Sequence, residues 1–96
     1  MDTQDIVETW RREGIQEGIE RGIKRGIEQG IKRGIEQGIA RSLIDIHEAR
    51  FGAISPELRA VIEDTHDEPT LRGWVRLAIT HTADELAAAI RSLRTR

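Results

Sequence analysis

The sequence predicts an all-α chain: one long helix forming a close-packed right-handed pair with another helix, then a small three-helix bundle. Three observations carry that expectation. Residues 14 to 40, GIQEGIERGIKRGIEQGIKRGIEQGIA, repeat Gly-Ile-x-x, with Gly at 14, 18, 22, 26, 30, 34 and 38. Residues 4 to 50 contain no Pro and no apolar/polar alternation of the kind a half-buried strand needs. Finally, 33% of residues are charged and 38% apolar, with two Trp, one Phe and no Tyr, a mixture typical of helical bundles and coiled coils.

The long helix is expected over residues 3 to 51. Asp2 or Thr3 can cap its start, and Ile6, Val7 and Trp10 follow with helical spacing. Beyond the repeat, Leu43, Ile46 and Phe51 continue the apolar positions, three and five residues apart. Gly52 then suits the left-handed residue that ends many helices. At 1.5 Å per residue such a helix would be about 70 Å long. That length without internal caps points to a paired helix.

After Gly52 the chain is punctuated differently. Ser55 and Pro56 read as N-cap and first helical residue, with Leu58, Val61 and Ile62 as an apolar stripe. HDEPTL breaks that helix, and Asp67 can cap the next, whose Leu71, Trp74, Val75 and Ala78 share one face. Thr82 and Glu85 form a Thr-x-x-Glu capping box for a last helix carrying Leu86, Ala89, Ile90 and Leu93. The expected organisation is therefore a long oligomerisation helix at 1–51 and a small helical domain at 52–96. A core of that size is marginal alone, so it should pack on the end of the long helix and draw help from a second chain.

The repeat specifies how the long helix pairs. Each residue of a straight α-helix advances about 100°, so a four-residue step overshoots one turn by about 40°. The ridge Ile15, Ile19, Ile23, Ile27, Ile31, Ile35, Ile39 therefore drifts about 240° around the helix. No flat surface covers such a ridge. A second helix winding around it does, and a period above 3.6 makes that winding right-handed. With a drift of about 40° per 6 Å, the supercoil pitch is about 54 Å. Axes about 7 Å apart would then cross near 44°, in line with the crossings of about 40° of small-xxx-small helix pairs.

The energetics agree. An interior Gly costs about 1 kcal/mol relative to Ala. Burying an Ile side chain stabilises by about 1.5 to 3 kcal/mol. A Gly-Ile step is thus favourable only where the Ile is covered. Pairs such as Glu20–Lys24 and Glu28–Lys32 add only a few tenths of a kcal/mol each. The interface expected from these arguments comprises Trp10, Gly14, Ile15, Gly18, Ile19, Gly22, Ile23, Gly26, Ile27, Gly30, Ile31, Gly34, Ile35, Gly38 and Ile39.

Charge bears on orientation. A parallel pair in register sets Glu20, Lys24, Glu28, Lys32 and Glu36 each against its own copy. An antiparallel pair with Gly26 opposite Gly26 sets Glu20 against Lys32 and Lys24 against Glu28. Centring on Gly30 instead pairs Lys24 with Glu36 and Glu28 with Lys32. Exposed pairs are worth about 0 to 1 kcal/mol each, so charge favours the antiparallel arrangement modestly.

No constellation of catalytic residues emerges, and no metal or cofactor site. His47, His66 and His81 lack ligand spacing on any one helix. Asp45, Glu48, Asp64 and Asp67 lie near helix ends, where acids cap or stay solvated. Arg11, Arg12, Arg21, Arg25 and Arg33 alternate with acids and read as a solvated face. Trp74 belongs to an apolar face, whereas Trp10 stands before the repeat and suits an interface. The net charge of −2 announces no basic surface, so nucleic acid is not an expected partner of the chain by itself. The absence of Cys removes disulfides and thiolate sites. The acidic start MDTQDIVETWRRE is unlike a secretory signal, and no apolar run approaches the ~20 residues of a membrane span. A cytoplasmic location is the expectation.

The succession of Gly-x-x-x repeats, ARSLIDIHEARFG and EARFGAISPELRAVIE resembles the C-terminal part of bacterial recombination-promoting nucleases, the transposase-related PD-(D/E)XK proteins. Such tails carry glycine repeats, then RRFG-like residues and a small helical domain; the resemblance covers residues 10 to 94. The chain departs from that family in having no Asp followed by Glu-x-Lys on strands, so no catalytic residue carries over. The resemblance implies a tail or short form of such a nuclease with an assembly role. The functional expectation is a non-catalytic homodimerisation and regulatory module, pairing with itself or with the matching tail of a full-length nuclease. The alternative is a nucleic-acid-binding accessory using Arg and Lys of the long helix, which steep salt dependence of DNA binding would reveal.

Overall fold

The computed structural model describes residues 2–94, which form four α-helices and no strand. Helix α1 runs Thr3–Phe51, α2 Pro56–Glu63, α3 Glu68–Thr80 and α4 Ala83–Arg94. The chain divides into two compact units, Met1–Lys32 and Arg33–Arg96, so the division falls inside α1. The first unit is a helical segment throughout its described residues beyond Asp2.

The second unit has a core of its own. From α1 it takes Ala40, Leu43 and Ile44, with Ile39, Ile46 and Phe51 packed part-buried around them. Leu58 and Ile62 of α2 and Leu71, Trp74 and Ala78 of α3 join them. Leu86 and Ile90 complete the core from α4, which packs on both α2 and α3. The periodicity of the three short helices predicted these faces, except that Leu93, expected on the α4 stripe, is exposed beyond the end of the core. On α1 the expected Leu43, Ile46 and Phe51 all reach the core, but the buried row is another one. It follows Glu36, Ala40, Leu43, Ile44 and His47, one helical face built on i, i+4 and i+7 steps.

Local chemistry sets the boundaries. The backbone carbonyl of Asp2 receives the N–H groups of Asp5 (3.0 Å) and Ile6 (3.3 Å) at the start of α1. At its end Gly52 adopts φ +91°, a left-handed conformation that glycine takes without steric cost. Its N–H reaches the Glu48 carbonyl at 3.1 Å. The turn is held from inside by His47, whose Nδ1 donates to the Gly52 carbonyl at 3.0 Å. The His47 ring meets Phe51 edge-on, with centroids 5.4 Å apart. Next to it Arg50 reaches over: its Nη1 donates to the carbonyls of Ala78 and His81, at the negative end of the α3 dipole. One buried and one exposed side chain of α1's last turn thus satisfy two helix ends.

Each short helix starts on the cap its sequence offers. The Leu58 N–H donates to Ser55 Oγ at 3.2 Å, with Pro56 opening α2. The Thr70 N–H donates to Asp67 Oδ2 at 3.1 Å, with Pro69 in the first turn of α3. At α4 the capping box closes both ways: Glu85 N–H to Thr82 Oγ1 at 3.2 Å, and Thr82 N–H to Glu85 Oε1 at 3.3 Å.

The capping box makes a pH prediction. Hydrogen bonds from the Thr82 hydroxyl and N–H favour the charged carboxylate and hold the Glu85 pKa below the ordinary glutamate value. A depressed folded pKa contributes stability above the unfolded pKa and loses it as pH falls through the folded one. The α4 cap should therefore be intact at neutral pH and fade only in acid, below the range where a free glutamate titrates. A side-chain carboxyl NMR titration should place the Glu85 midpoint below that of free glutamate. Thr82→Ala should return it toward the ordinary range.

Candidate functional site

The repeat presents its apolar residues to solvent. Ile15, Ile19, Ile23, Ile27 and Ile31 are each 57 to 60% exposed, and Ile35 is 44% exposed. Trp10, one turn before Gly14, is 67% exposed, and Val7 is exposed with it. A β-carbon built on Gly14, Gly18, Gly22, Gly26, Gly30, Gly34 or Gly38 would meet nothing within 4 Å. No contact within the chain therefore requires glycine at these seven positions. Of the expected interface residues only Ile39 is otherwise engaged, packing part-buried against the core of the second unit. Trp10 and the isoleucines from Ile15 to Ile35 are exposed along α1, and nothing lies within 4 Å of a β-carbon built on any of the seven glycines.

The charged positions between them are exposed from Glu13 to Lys32. Glu36 behaves differently. It occupies the same place in the repeat as Glu28 and Lys32, yet it is only 4% exposed. Its Oε2 lies 3.5 Å from Nδ1 of His66, in the turn between α2 and α3, and its Oε1 has no hydrogen-bond partner. Glu36 forms part of the wall of a cleft of about 600 Å³ between α1 and α2 within the second unit. Sequence reasoning placed Glu36 among exposed charges and did not single out Ala40 or Ile44. The signal available was the i, i+4 row Glu36, Ala40, Ile44, which runs into the buried Leu43 and His47 face.

The remaining polar residues singled out by sequence are dispersed. Asp67 caps α3, Asp64 ends α2, and Glu48 pairs with Arg59 at 3.1 Å. His47 is buried and bonded, whereas His66 and His81 are on the surface. Among the described residues no group of three or more His, Cys, Asp or Glu is arranged to hold a metal ion. No helix of the described residues is long and apolar enough to cross a membrane. No known family, curated protein or solved structure matches the chain.

A buried carboxylate oxygen without a donor is destabilising, so Glu36 invites a direct measurement. Glu36→Met keeps the length of the side chain and removes the charge. It should raise stability toward urea by about 1 to 2 kcal/mol, as expected for replacing a poorly compensated buried charge with an apolar group. A fall in the urea midpoint instead would mean that the contact with His66 outweighs the burial cost.

Proposed function

We propose that the chain is a homodimerising regulatory module, pairing through α1 with a second copy or with the matching tail of a full-length nuclease. The observation that carries the reading is the ridge Ile15–Ile31, uniformly exposed beside glycines that no contact within the chain explains. Glycine at every fourth position weakens a helix that stands alone, at about 1 kcal/mol per residue relative to Ala. It lets two helix backbones approach closely, and it is at such contacts that small residues at four-residue spacing gain packing. The second copy supplies the cover for Ile side chains that more than half of their surface now lacks. Trp10, large, flat and exposed at the start of the repeat, fits the anchor such an interface uses.

The burial of Glu36 bears on the register. An antiparallel pair centred on Gly30 keeps its Glu28–Lys32 pairs but loses those between Lys24 and Glu36, because Glu36 is buried. The arrangement centred on Gly26 draws its complementary pairs from Glu20, Lys24, Glu28 and Lys32, all exposed. It also runs the repeat along its full length, setting Gly14 opposite Gly38. A two-fold axis through that point gives a self-complementary interface that closes on two copies. The proposed pair is therefore antiparallel and centred on Gly26.

Sedimentation at micromolar concentration should give twice the 10.9 kDa of one chain. A well-folded helical monomer refutes the proposal. Replacing both Gly26 and Gly30 by Leu should raise the helicity of the monomer, by about 1 kcal/mol per site in propensity, and yet abolish the pair. A variant that dimerises as before would put the glycines away from the contact. Co-expression with a full-length nuclease carrying the same tail should yield a co-purifying complex; its absence removes the regulatory part of the reading.

Orientation has its own test. Arg11→Cys and Arg41→Cys, introduced in separately labelled chains, stand opposite one another when Gly26 faces Gly26. A short bis-maleimide should join position 11 to position 41. Crosslinks only between two copies of position 11 would mean parallel helices.

A further inference from the structure

The cleft of the second unit carries a reading of its own, independent of self-association. Its volume, about 600 Å³, lies within the range of about 300 to 1,000 Å³ usual for small-molecule sites. One wall is the α1 row Glu36, Ala40 and Ile44; Thr65 and His66 close it from the turn after α2. One of the two arginines of the lining already has acids against it. Arg59 is held by Glu48 at 3.1 Å and Glu63 at 3.8 Å; Arg41 and Asp45 also line the cleft. Glu36 is the buried acid of the lining. It is more than nine-tenths buried, and its nearest basic neighbour is the largely exposed His66 ring, 3.5 Å from Oε2.

We propose that this cleft binds a small organic cation, a guanidinium or primary ammonium group on a short aliphatic chain, with its N–H groups donating to Glu36 Oε1. Three features of the wall select that chemistry. A buried carboxylate oxygen lacking a donor is best satisfied by a charged one, whose hydrogen bonds are the strong kind. Ala40 and Ile44, successive residues of the same helical row, offer an apolar track for the aliphatic stem. The surplus of acids over Arg in the lining attracts cations and repels carboxylates and phosphates. Oε1 is closed to solvent, so this binding requires the exposed His66 side chain, 3.5 Å from Oε2, to swing aside. Arg59 between Glu48 and Glu63 shows that the same cleft already holds one guanidinium against carboxylates.

The test uses the full chain and two probes of equal shape, butylguanidinium and uncharged butylurea. Titrated into wild-type protein, butylguanidinium should give saturable shifts of the Glu36 side-chain carboxyl and His66 ring signals, with a Kd in about the millimolar range. Butylurea should give none. Glu36→Gln should weaken butylguanidinium binding at least about tenfold while circular dichroism shows the helices intact. Glu17→Gln, which removes the same charge from an exposed site outside the cleft, should leave affinity unchanged. Equal shifts with butylurea, shifts that never saturate, or equal affinity in Glu36→Gln and wild type would each overturn the proposal. The comparison of the two probes on wild-type protein decides even if Glu36→Gln fails to fold. None of these readouts depends on whether the chain is a monomer or a dimer.

Discussion

An apolar residue at every fourth position of an α-helix sets a constraint that the rest of the molecule has to meet. The helix turns in 3.6 residues, so the ridge winds by about 40° per step and no rigid face of the same chain can follow it. The chain leaves Ile15 through Ile31 more than half exposed along α1. Each is flanked by a glycine that removes side-chain bulk and helix propensity together. Both properties are costs to a solitary helix and both are assets to a close-packed pair, where the ridge of one helix finds the open backbone of the other. The i, i+4 charges between them keep such a helix soluble and contribute only a few tenths of a kcal/mol per pair to holding it.

The second unit solves a different problem, that of building a core from few residues. It recruits the last third of α1, so that Ala40, Leu43 and Ile44 join the stripes of α2, α3 and α4. Polar groups at the helix ends are satisfied by side chains that also pack. His47 closes the Gly52 turn while its ring touches Phe51, and Arg50 covers the end of α3 while its guanidinium lies 4.7 Å from the Phe51 ring centre. A small core gains specificity this way, because each of these contacts fixes the approach of one element to another.

What was legible in the sequence follows from the range of the interactions concerned. Caps and stops depend on residues three or four apart, so Ser55, Asp67, the Thr82–Glu85 box and Gly52 could be read directly, and the ends of α1 with them. The short helices follow their apolar period because each has a single covered face. The inward face of α1 beyond Ile35 was not legible in the same way. There the Gly-Ile pattern, which points to one face, overlaps a second pattern that points to another. Ile39 belongs to both, a repeat position by sequence and part of the core by packing. Glu36 looked like one more exposed charge because its burial is decided by His66, thirty residues on, and by the wall of α2. His47 reads as a polar interruption of the apolar row until the Gly52 carbonyl is placed beside its Nδ1.

The overlap of the two patterns gives Glu36 its significance. Along the repeat the third position alternates in sign, Glu20, Lys24, Glu28, Lys32, Glu36, and the first four are free to face a partner or the solvent. At Glu36 the helix face has turned into the core of the second unit, so the last charge of the series is withdrawn from any pairing along α1. Two consequences follow from that single placement. A Gly30-centred pairing would lose its Lys24–Glu36 contacts and keep only Glu28–Lys32, whereas the charges symmetric about Gly26 are all exposed. And the withdrawn carboxyl group, buried with one oxygen unsatisfied, keeps a polar group in a place where an apolar residue would pack better. Proteins tolerate such local conflicts with good packing chiefly where a site is being kept, and the cleft that Glu36 helps to line is where that conflict is found.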